Sequence, residues 1–335
     1  MEKQTKIKNE KLLKALSFAR SNKNTLIRYG LLILVVIVFS AATGGRLFSS
    51  YSISSIISQL TPLMIMCVGM MFVFSHGNLD IAEGAVIAIC ALMSIEIINA
   101  LGGSAGGIIL AFVLNVAVCE VLYVGSIFLS IKTRILSTIA SLAIMFTARG
   151  LVMFFVSRTL GSYRLENSSA MSLFQETWFM ILIMVLVALA GWFIFTYTRI
   201  GKYSRAIGDN PLSAAQSGAN VNVTKYICYA IAGFCVALST MYYLSRTGSV
   251  TQNFGSGREM DVMISLILGG MLLSGGSKSR MSAAIVGSIT YILLTNGLSQ
   301  LGIPDMYVSL VKGVVFLVMI GFTLRRQASV KALPR

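Results

Sequence analysis

Long, nearly uncharged apolar segments recur along this chain and leave it few ways to fold. Of its 335 residues 56% are hydrophobic and only 12% are charged, and the mean hydropathy is +0.81. A single soluble core of this size cannot bury so much apolar surface. The sequence therefore predicts an all-α, polytopic integral membrane protein.

A helix that crosses a membrane needs roughly 20 mostly apolar residues, and this criterion predicts about ten spans. The predicted spans are 27–46, 53–75, 82–101, 106–131, 135–157, 177–196, 225–246, 260–277, 281–301 and 306–324. Together they form one transmembrane domain, 27–324, with a basic segment, 1–26, before it and a basic tail, 325–335, after it.

The basic residues are unevenly distributed between the two predicted sides of the membrane. If the chain starts in the cytosol, 20 of its 27 Lys and Arg residues fall in cytosolic segments or, for Arg28 and Lys225, at the cytosolic ends of predicted spans. Cytosolic loops of membrane proteins carry such an excess, so both termini are predicted to be cytosolic. The net charge of +15 then indicates contact with membrane lipids and not with nucleic acid. Segment 1–26 is either a helix lying on anionic headgroups or a tail that only sets orientation.

The residues needed for several kinds of catalytic and metal site are missing. The sequence has no GxxxxGK[ST] phosphate-binding loop, so we predict that the chain does not bind ATP by that route. His76 is its only histidine, which leaves multi-histidine zinc sites without ligands. All five cysteines lie within predicted spans and are interpreted as small apolar residues. We predict no catalytic residue, no metal and no cofactor.

One polar, basic segment, 197–225, separates two hydrophobic stretches. Within it, 206–217 is amphipathic, Asp209 and Asn210 are candidates for a helix start, and Gly218 is a candidate for its end. These features predict a short helix lying under the membrane. Small residues in the segment favour close approach of another protein, although an ordinary connecting loop is the alternative.

Three stretches of the sequence resemble one family of transporters. Residues 201–221 are similar to the coupling loop of permease subunits of bacterial ATP-binding-cassette sugar importers, of the ribose, galactose and xylose type. Residues 77–84, GNLDIAEG, resemble the GGIDLSxG signature of that family, and 257–276 resembles its G-x-E-x-D…LGG…GG stretch. The similarity covers roughly 50–325 and includes all three stretches in the family's order.

The resemblance implies a permease subunit that moves a small polar solute, a monosaccharide or related sugar, across the bacterial cytoplasmic membrane. Its implied partners are an ATP-binding subunit that hydrolyses ATP, an extracytoplasmic solute-binding protein and a second permease subunit, identical or different. The residues implied to couple to the ATP-binding subunit are Gly208, Asp209, Asn210, Ala214, Ala215, Ser217 and Gly218. A stand-alone secondary transporter or channel is the alternative from another class.

Glycines flank an acidic turn after the second predicted span. Gly77 and Gly84 enclose Asp80, and a helix broken in this way at membrane depth survives only where protein or a water-filled path covers it. Asp80 either caps the next helix or lines the solute path. Asn78 and Glu83 stand where the family signature has a glycine and an apolar residue, and we hypothesise that they adapt the path to a solute other than the commonest sugars.

Other intramembrane polar residues and glycines complete the set of candidates. Glu120 is expected to face the interior of the bundle, either paired or in contact with solute, because buried ionisable groups are costly in lipid. The glycines assigned to helix packing or gating are Gly77, Gly84, Gly269, Gly270, Gly275 and Gly276. Glu259 and Asp261, at the start of the eighth span, are predicted to cap its helix or to dock the binding protein.

Overall fold

The structure is a computed structural model that describes residues 23–159 and 161–331. Its helices are α1 Lys23–Ala42, α2 Ser50–Ser75, α3 Glu83–Ala100, α4 Ala105–Thr133, α5 Ser137–Ser157, α6 Thr177–Tyr197, α7 Arg199–Asp209, α8 Pro211–Gln216, α9 Val221–Thr247, α10 Arg258–Leu268, α11 Ser282–Gln300 and α12 Asp305–Lys331. Most of the predicted basic segment 1–26 and the last four residues of the predicted tail lie outside the described residues.

Seven of these helices, α2 to α6, α9 and α11, are long and apolar enough to cross a membrane. Helices α1 and α12 contain shorter apolar stretches, Arg28–Ala42 and Met306–Val318. The prediction of an all-α, polytopic membrane protein is confirmed.

The predicted span 260–277 is wrong, because α10 ends at Leu268 and the next helix, α11, begins only at Ser282. The glycines of this stretch explain the break. Gly270, Gly275 and Gly276 have φ angles of 82°, 67° and 93°, in the left-handed region that favours glycine. We call residues 269–281 the post-α10 segment.

Two helices, α2 and α9, form the centre of the bundle. Within their most apolar stretches 78% and 72% of the residues are buried, against only 17% in α6. Helix α2 packs against α6, α9 and α11, whereas α3 packs against α4 and α5. The exposed face of α6 is itself apolar, with Leu186, Leu189 and Phe193 among its exposed residues. Such a surface suits a helix whose solvent is lipid.

A short segment closes one end of the bundle above α3 and α9. Strand β1, Ser162–Arg164, pairs antiparallel with β2, Ser249–Thr251, and a 3₁₀ helix, Ser168–Gln175, follows β1. The side-chain amide of Asn99 donates to the Arg164 carbonyl oxygen at 2.9 Å. Together with the β pairing, this bond holds 161–176 against the end of α3 opposite the end that carries Glu83.

Candidate functional site

The chain is non-helical between α2 and α3, and we call residues 76–82 the first broken segment. Gly77 has φ 81° and turns the chain out of α2. Hydroxyl groups of α5 satisfy the extended backbone: Thr138 donates to the Leu79 carbonyl oxygen at 3.1 Å, and the Ile81 N–H donates to Ser141 at 3.3 Å. The first broken segment is therefore supported by protein on the α5 side, as buried backbone requires.

Residues 252–257, between β2 and α10, form a second broken segment, which touches α3 at Gly84, just after the first broken segment ends. A methyl group added at Gly84 would lie 2.1 Å from the Gly255 carbonyl oxygen, so no larger residue fits at this contact. The Arg149 guanidinium of α5 donates to the Phe254 carbonyl oxygen at 2.6 Å. Arg149 lies about 18 Å along α5 from its first residue, at a rise of about 1.5 Å per residue. The two segments therefore meet well inside the bundle.

Acidic side chains gather at this meeting point. Asp80 is 1% exposed, and its carboxylate accepts a hydrogen bond from the Ala82 N–H at 2.9 Å, immediately before α3 begins. Glu83 is fully buried, and neither of its carboxylate oxygens has a hydrogen-bond partner among the described residues. Glu259 accepts from the Gly257 N–H at 3.2 Å with one oxygen. A buried carboxylate without a partner is costly unless a proton, a cation or hydrogen-bond donors stabilise it.

Phenol, hydroxyl and amide groups lie on the other side of Asp80. Asn78 donates to the Tyr229 hydroxyl at 3.5 Å, and the ring of Tyr229 contacts that of Tyr123, with 6.4 Å between centroids. Tyr123 and Ser126 line a narrow cleft beside Asp80, and their buried hydroxyl groups have no hydrogen-bond partner among the described residues. We call this set, Asn78, Asp80, Glu83, Tyr123, Ser126 and Tyr229, the buried polar site.

Half of the buried polar site is predicted from the sequence. Asn78, Asp80 and Glu83 lie together as grouped, whereas Tyr123, Ser126 and Tyr229 were missed. The missed signal is a polar stripe on α4, whose buried residues recur every three or four positions. The polar members of that stripe are Asn115, Cys119, Tyr123, Ser126 and Ser130.

Glu120 is the one pathway candidate that lies apart. It is half-buried on α4, with its carboxylate close to Gly233 of α9. No hydrogen bond among the described residues joins it to the other three candidates.

Asp261 forms a separate charged cluster in the first turn of α10. Its carboxylate pairs with Arg258 at 2.9 Å and with Lys312 at 3.1 Å, and it accepts a hydrogen bond from the Tyr291 hydroxyl. These bonds connect α10 to α11 and α12. Asp261 is only 6% exposed, so its carboxylate holds the bundle together and offers little surface to a docking protein.

The polar, basic segment 197–225 contains two helices, α7 and α8, before α9 begins, and not the single predicted helix. Pro211 lacks an N–H and disfavours a helical residue before it, so the helix breaks at Asn210. Asn210 is a helix start as predicted, because its side chain accepts from the Leu212 and Ser213 N–H groups at 2.9 and 3.2 Å. Gly218, with φ 86°, follows the end of α8 as predicted.

The coupling candidates divide into an inner and an outer group. Ala214 is buried against Ile207 and Ala219, so it packs α8 onto α7. Gly208 touches the end of α2, and both carboxylate oxygens of Asp209 accept from the Ser277 N–H at 3.0 Å. The outer group, exposed to solvent, consists of the candidates Ala215, Ser217 and Gly218 together with Leu212 and Gln216, which were not predicted from the sequence.

The Arg205 guanidinium fixes α7 to the end of α6. It donates to the Phe195 carbonyl oxygen at 3.4 Å and lies over the Phe195 ring. Partial burial lowers the pKa of Arg205, and the nearby positive charge of Arg280 lowers it further. Arginine stays protonated despite such shifts, so α7 presents a fixed positive charge to the post-α10 segment.

The candidate packing glycines have close neighbours in the structure. A methyl group at Gly269 would lie 1.9 Å from the Ala283 carbonyl oxygen, which brings α10 and α11 into backbone contact. Gly270 lies beside the Arg28 side chain, and Gly275 lies against the carbonyl oxygens of Phe74 and Ser75. Within the described ranges, no three His, Cys, Asp or Glu side chains are grouped so as to hold a metal ion.

The fold and the site together define a class: a multi-pass helical membrane protein whose broken segments meet around buried polar groups, as in permeases. The chain belongs to the family described as the permease component of branched-chain amino acid transport systems, which it matches over residues 52–320. Family membership and the seven apolar helices make it a multi-pass protein of the bacterial inner membrane.

Several relatives are permeases named for sugars. The ribose import permease protein of Escherichia coli (strain K12) is 28% identical over 298 residues, covering 86% of this chain and 90% of the relative. The fructose import permease protein of Bifidobacterium longum (strain NCC 2705) is 26% identical over 303 residues, covering 86% and 88%. The resemblance to sugar-importer permeases is confirmed. No solved structure matches the chain significantly.

Proposed function

We propose that the chain is the permease subunit of an ATP-binding-cassette importer that carries a monosaccharide or related sugar across the cytoplasmic membrane. The observation that carries this proposal is the near full-length similarity to permeases named for ribose and fructose import. The chain is not itself an enzyme, and ATP is bound and hydrolysed by a partner subunit.

The buried polar site is proposed to lie on the solute path. Sugar hydroxyls can donate to the carboxylates of Asp80 and Glu83 and accept from the hydroxyls of Tyr123 and Ser126. Each of these groups except Asp80 lacks a hydrogen-bond partner among the described residues. A sugar that passes the site would therefore supply hydrogen bonds that these groups do not make within the protein.

Helix α8 is proposed to dock on the ATP-binding subunit. Its outer group includes Leu212, which is 69% exposed. The small residue Ser213 follows Leu212 directly, and the small residue Ala215 lies three positions after it. An exposed leucine beside small residues is typical of a surface that a partner covers. With α8 facing a cytosolic ATP-binding subunit, both termini lie in the cytosol and 161–176 lies outside, where the solute-binding protein docks. A second permease subunit, identical or different, completes the pore.

Reconstitution tests the importer against a secondary transporter. The tagged chain is purified with the ATPase subunit it captures, placed in vesicles with its binding protein, and supplied with labelled ribose, fructose or xylose. We expect uptake that requires both ATP on the cytosolic side and the binding protein. Uptake by the chain alone, driven by an ion gradient, would contradict the proposal and support the secondary transporter.

Leu212→Arg tests the docking surface. We expect the variant to insert normally and to lose capture of the ATPase subunit, because a charge replaces the apolar centre of the contact. Val223→Arg, at a residue that is 49% exposed in the first turn of α9, is the matched control and should keep the ATPase. Equal capture by both variants would show that α8 is only a connecting helix.

A further inference from the structure

Three separate parts of the chain meet at one contact made largely of backbone, which we call the glycine junction. Its members are Ser75 of α2, Ser204, Gly208 and Asp209 of α7, and Gly275, Gly276 and Ser277 of the post-α10 segment. The coupling candidates Gly208 and Asp209 and the last pair of candidate packing glycines, Gly275 and Gly276, therefore belong to a single structure.

The buried half of the junction joins α7 to the end of α2. The Ser204 hydroxyl donates to the Phe72 carbonyl oxygen at 3.0 Å and contacts the Ser75 hydroxyl, and both serines are fully buried. A methyl group at Gly208 would lie 2.2 Å from the Ser75 carbonyl oxygen and 2.5 Å from the Gly276 nitrogen. The backbones touch directly, so this contact has no side chain that could absorb a displacement.

The post-α10 segment closes the junction from the other side. The Gly276 N–H donates to the Ser75 carbonyl oxygen at 2.8 Å, and both oxygens of Asp209 accept from the Ser277 N–H at 3.0 Å. A methyl group at Gly275 would lie 2.3 Å from the Ser75 carbonyl oxygen. The segment is thus bonded to α2 and α7 at the same place.

Each arm of the junction leads to a broken part of the bundle. On the α2 side, the chain continues directly into the first broken segment through His76 and Gly77. A methyl group added at Gly77 would lie 3.1 Å from the Ser274 carbonyl oxygen. On the other side, the post-α10 segment joins α10 to α11. A movement of α7 therefore reaches the buried polar site and α10 without crossing a layer of flexible side chains.

We infer that the glycine junction is the link through which the α7–α8 segment moves the buried polar site, with Ser204, Gly208 and Asp209 as positioning residues. The inference rests on the proposed importer function. It differs from a docking role for Gly208 and Asp209, because it makes their partners α2 and the post-α10 segment and leaves contact with the ATPase to α8.

Gly208→Ala places a wedge in the junction while favouring the helix, because alanine is the better helix former. We expect the variant to insert and to capture the ATPase subunit as the unmodified chain does. Hydrolysis stimulated by solute-loaded binding protein should fall by about tenfold, within the range of allosteric couplings. Gly30→Ala is the control, because a methyl group at Gly30 meets nothing within 4 Å.

The outcomes separate the inference from the proposed function. Unchanged stimulation in Gly208→Ala would overturn the junction as a link, and lost ATPase capture would show a docking role instead. If the unmodified chain captures no ATPase, the proposed function fails first. If Gly208→Ala does not insert into the membrane, a disulfide between α2 and α7 tests the same link.

A reversible cross-link tests the same link without a wedge. Ser75→Cys and Ser204→Cys are combined in a chain whose five native cysteines are replaced, since the contact of the two hydroxyls brings the positions within range of a disulfide. Asp209→Ala is added to weaken the junction on its other side, with Asp209→Asn, which keeps one acceptor oxygen, as the conservative comparison.

We expect Asp209→Ala to lower stimulated hydrolysis by about threefold and Asp209→Asn to lower it less, because the bond lies in an exposed position. Oxidation of the cysteine pair should restore stimulation in the Asp209→Ala chain, and reduction should remove it again. Oxidation that blocks stimulation would show that α2 and α7 must separate during the cycle, and oxidation without effect would show that the contact carries no coupling. Either result would overturn the inference.

Discussion

Glu83 is the residue whose surroundings fit its side chain least well. It is fully buried, both carboxylate oxygens lack a partner among the described residues, and Asp80 lies in the same turn region. A residue kept at a cost to stability is expected where function needs it. The solute path supplies such a need, because a sugar hydroxyl could donate to Glu83 in passing.

Glu83→Gln should therefore change stability and uptake in opposite directions. The amide has the same shape without the buried charge, so we expect a higher melting temperature of the purified complex. Uptake should fall by roughly tenfold or more, the loss expected for a hydrogen bond to a charged group. Thermal unfolding and vesicle uptake are measured on the same preparation, with the affinity of the binding protein as a quantity that should not change.

Glu120→Gln is the matched control, because Glu120 is half-buried against Gly233 and lies apart from the buried polar site. We expect little change in uptake from this variant. Normal uptake by Glu83→Gln would show that Glu83 has no contact with solute, and equal losses in both variants would extend the path to Glu120, as the sequence predicted.

Residue types and spacing revealed the acidic half of the buried polar site and not its phenolic half. Asp80 and Glu83 are conspicuous because charges are rare in apolar segments and glycines flank them. Tyr123 and Tyr229 are ordinary residues in long hydrophobic helices. Their convergence depends on α4 and α9 packing side by side, and a single sequence does not state which helices are neighbours.

At the scale of elements, apolar length predicted the uninterrupted helices well and the broken ones poorly. Helices α5 and α6 begin and end within two residues of the predicted spans. The stretch 260–277 has the apolar composition of a span, yet its glycines make backbone contacts with α2, α7 and α11 that a continuous helix could not make. Hydropathy measures transfer into lipid and is insensitive to such contacts.

The contact between α10 and α11 gives an element-scale test. A methyl group at Gly287 would lie 1.9 Å from the Ser265 carbonyl oxygen, so Gly287→Ala should force the two helices apart. We expect a loss of about 1–3 kcal/mol of stability, as for other overpacked sites. Thermal unfolding in detergent measures it.

Gly150→Ala controls for the change of residue type, because Gly150 also lies within a helix but has nothing within 4 Å of an added methyl group. This variant should be as stable as the unmodified chain or slightly more stable. A Gly287→Ala protein as stable as the control would show that α10 and α11 are separated by more than the structure indicates.

At the scale of the whole molecule, the buried and lipid-facing helices divide the protein into a core and a shell. Core helix α9 contributes Tyr229 to the buried polar site and core helix α2 contributes Ser75 to the glycine junction, whereas α6 exposes leucine and aromatic side chains. Lipid offers no hydrogen bonds, so polar function concentrates in the core. Segment 161–176 and the α7–α8 segment lie at the two ends of α6.

The orientation of the whole molecule is a prediction from the distribution of charge, and it is open to direct measurement. The predicted excess of Lys and Arg on one side places α8 in the cytosol and 161–176 outside. Ser213→Cys on α8 and Glu166→Cys in 161–176 replace exposed residues, and each is introduced singly into a chain without its five native cysteines. A membrane-impermeant maleimide added to intact cells should label position 166 only, and position 213 should react only after the membrane is opened. Helix α6 connects these two positions and is long and apolar enough to cross the membrane, so labelling of both from the same side would require a different path of the chain through the membrane. Labelling with the sides exchanged would keep the fold but invert it, and it would remove α8 as the surface that meets a cytosolic ATPase.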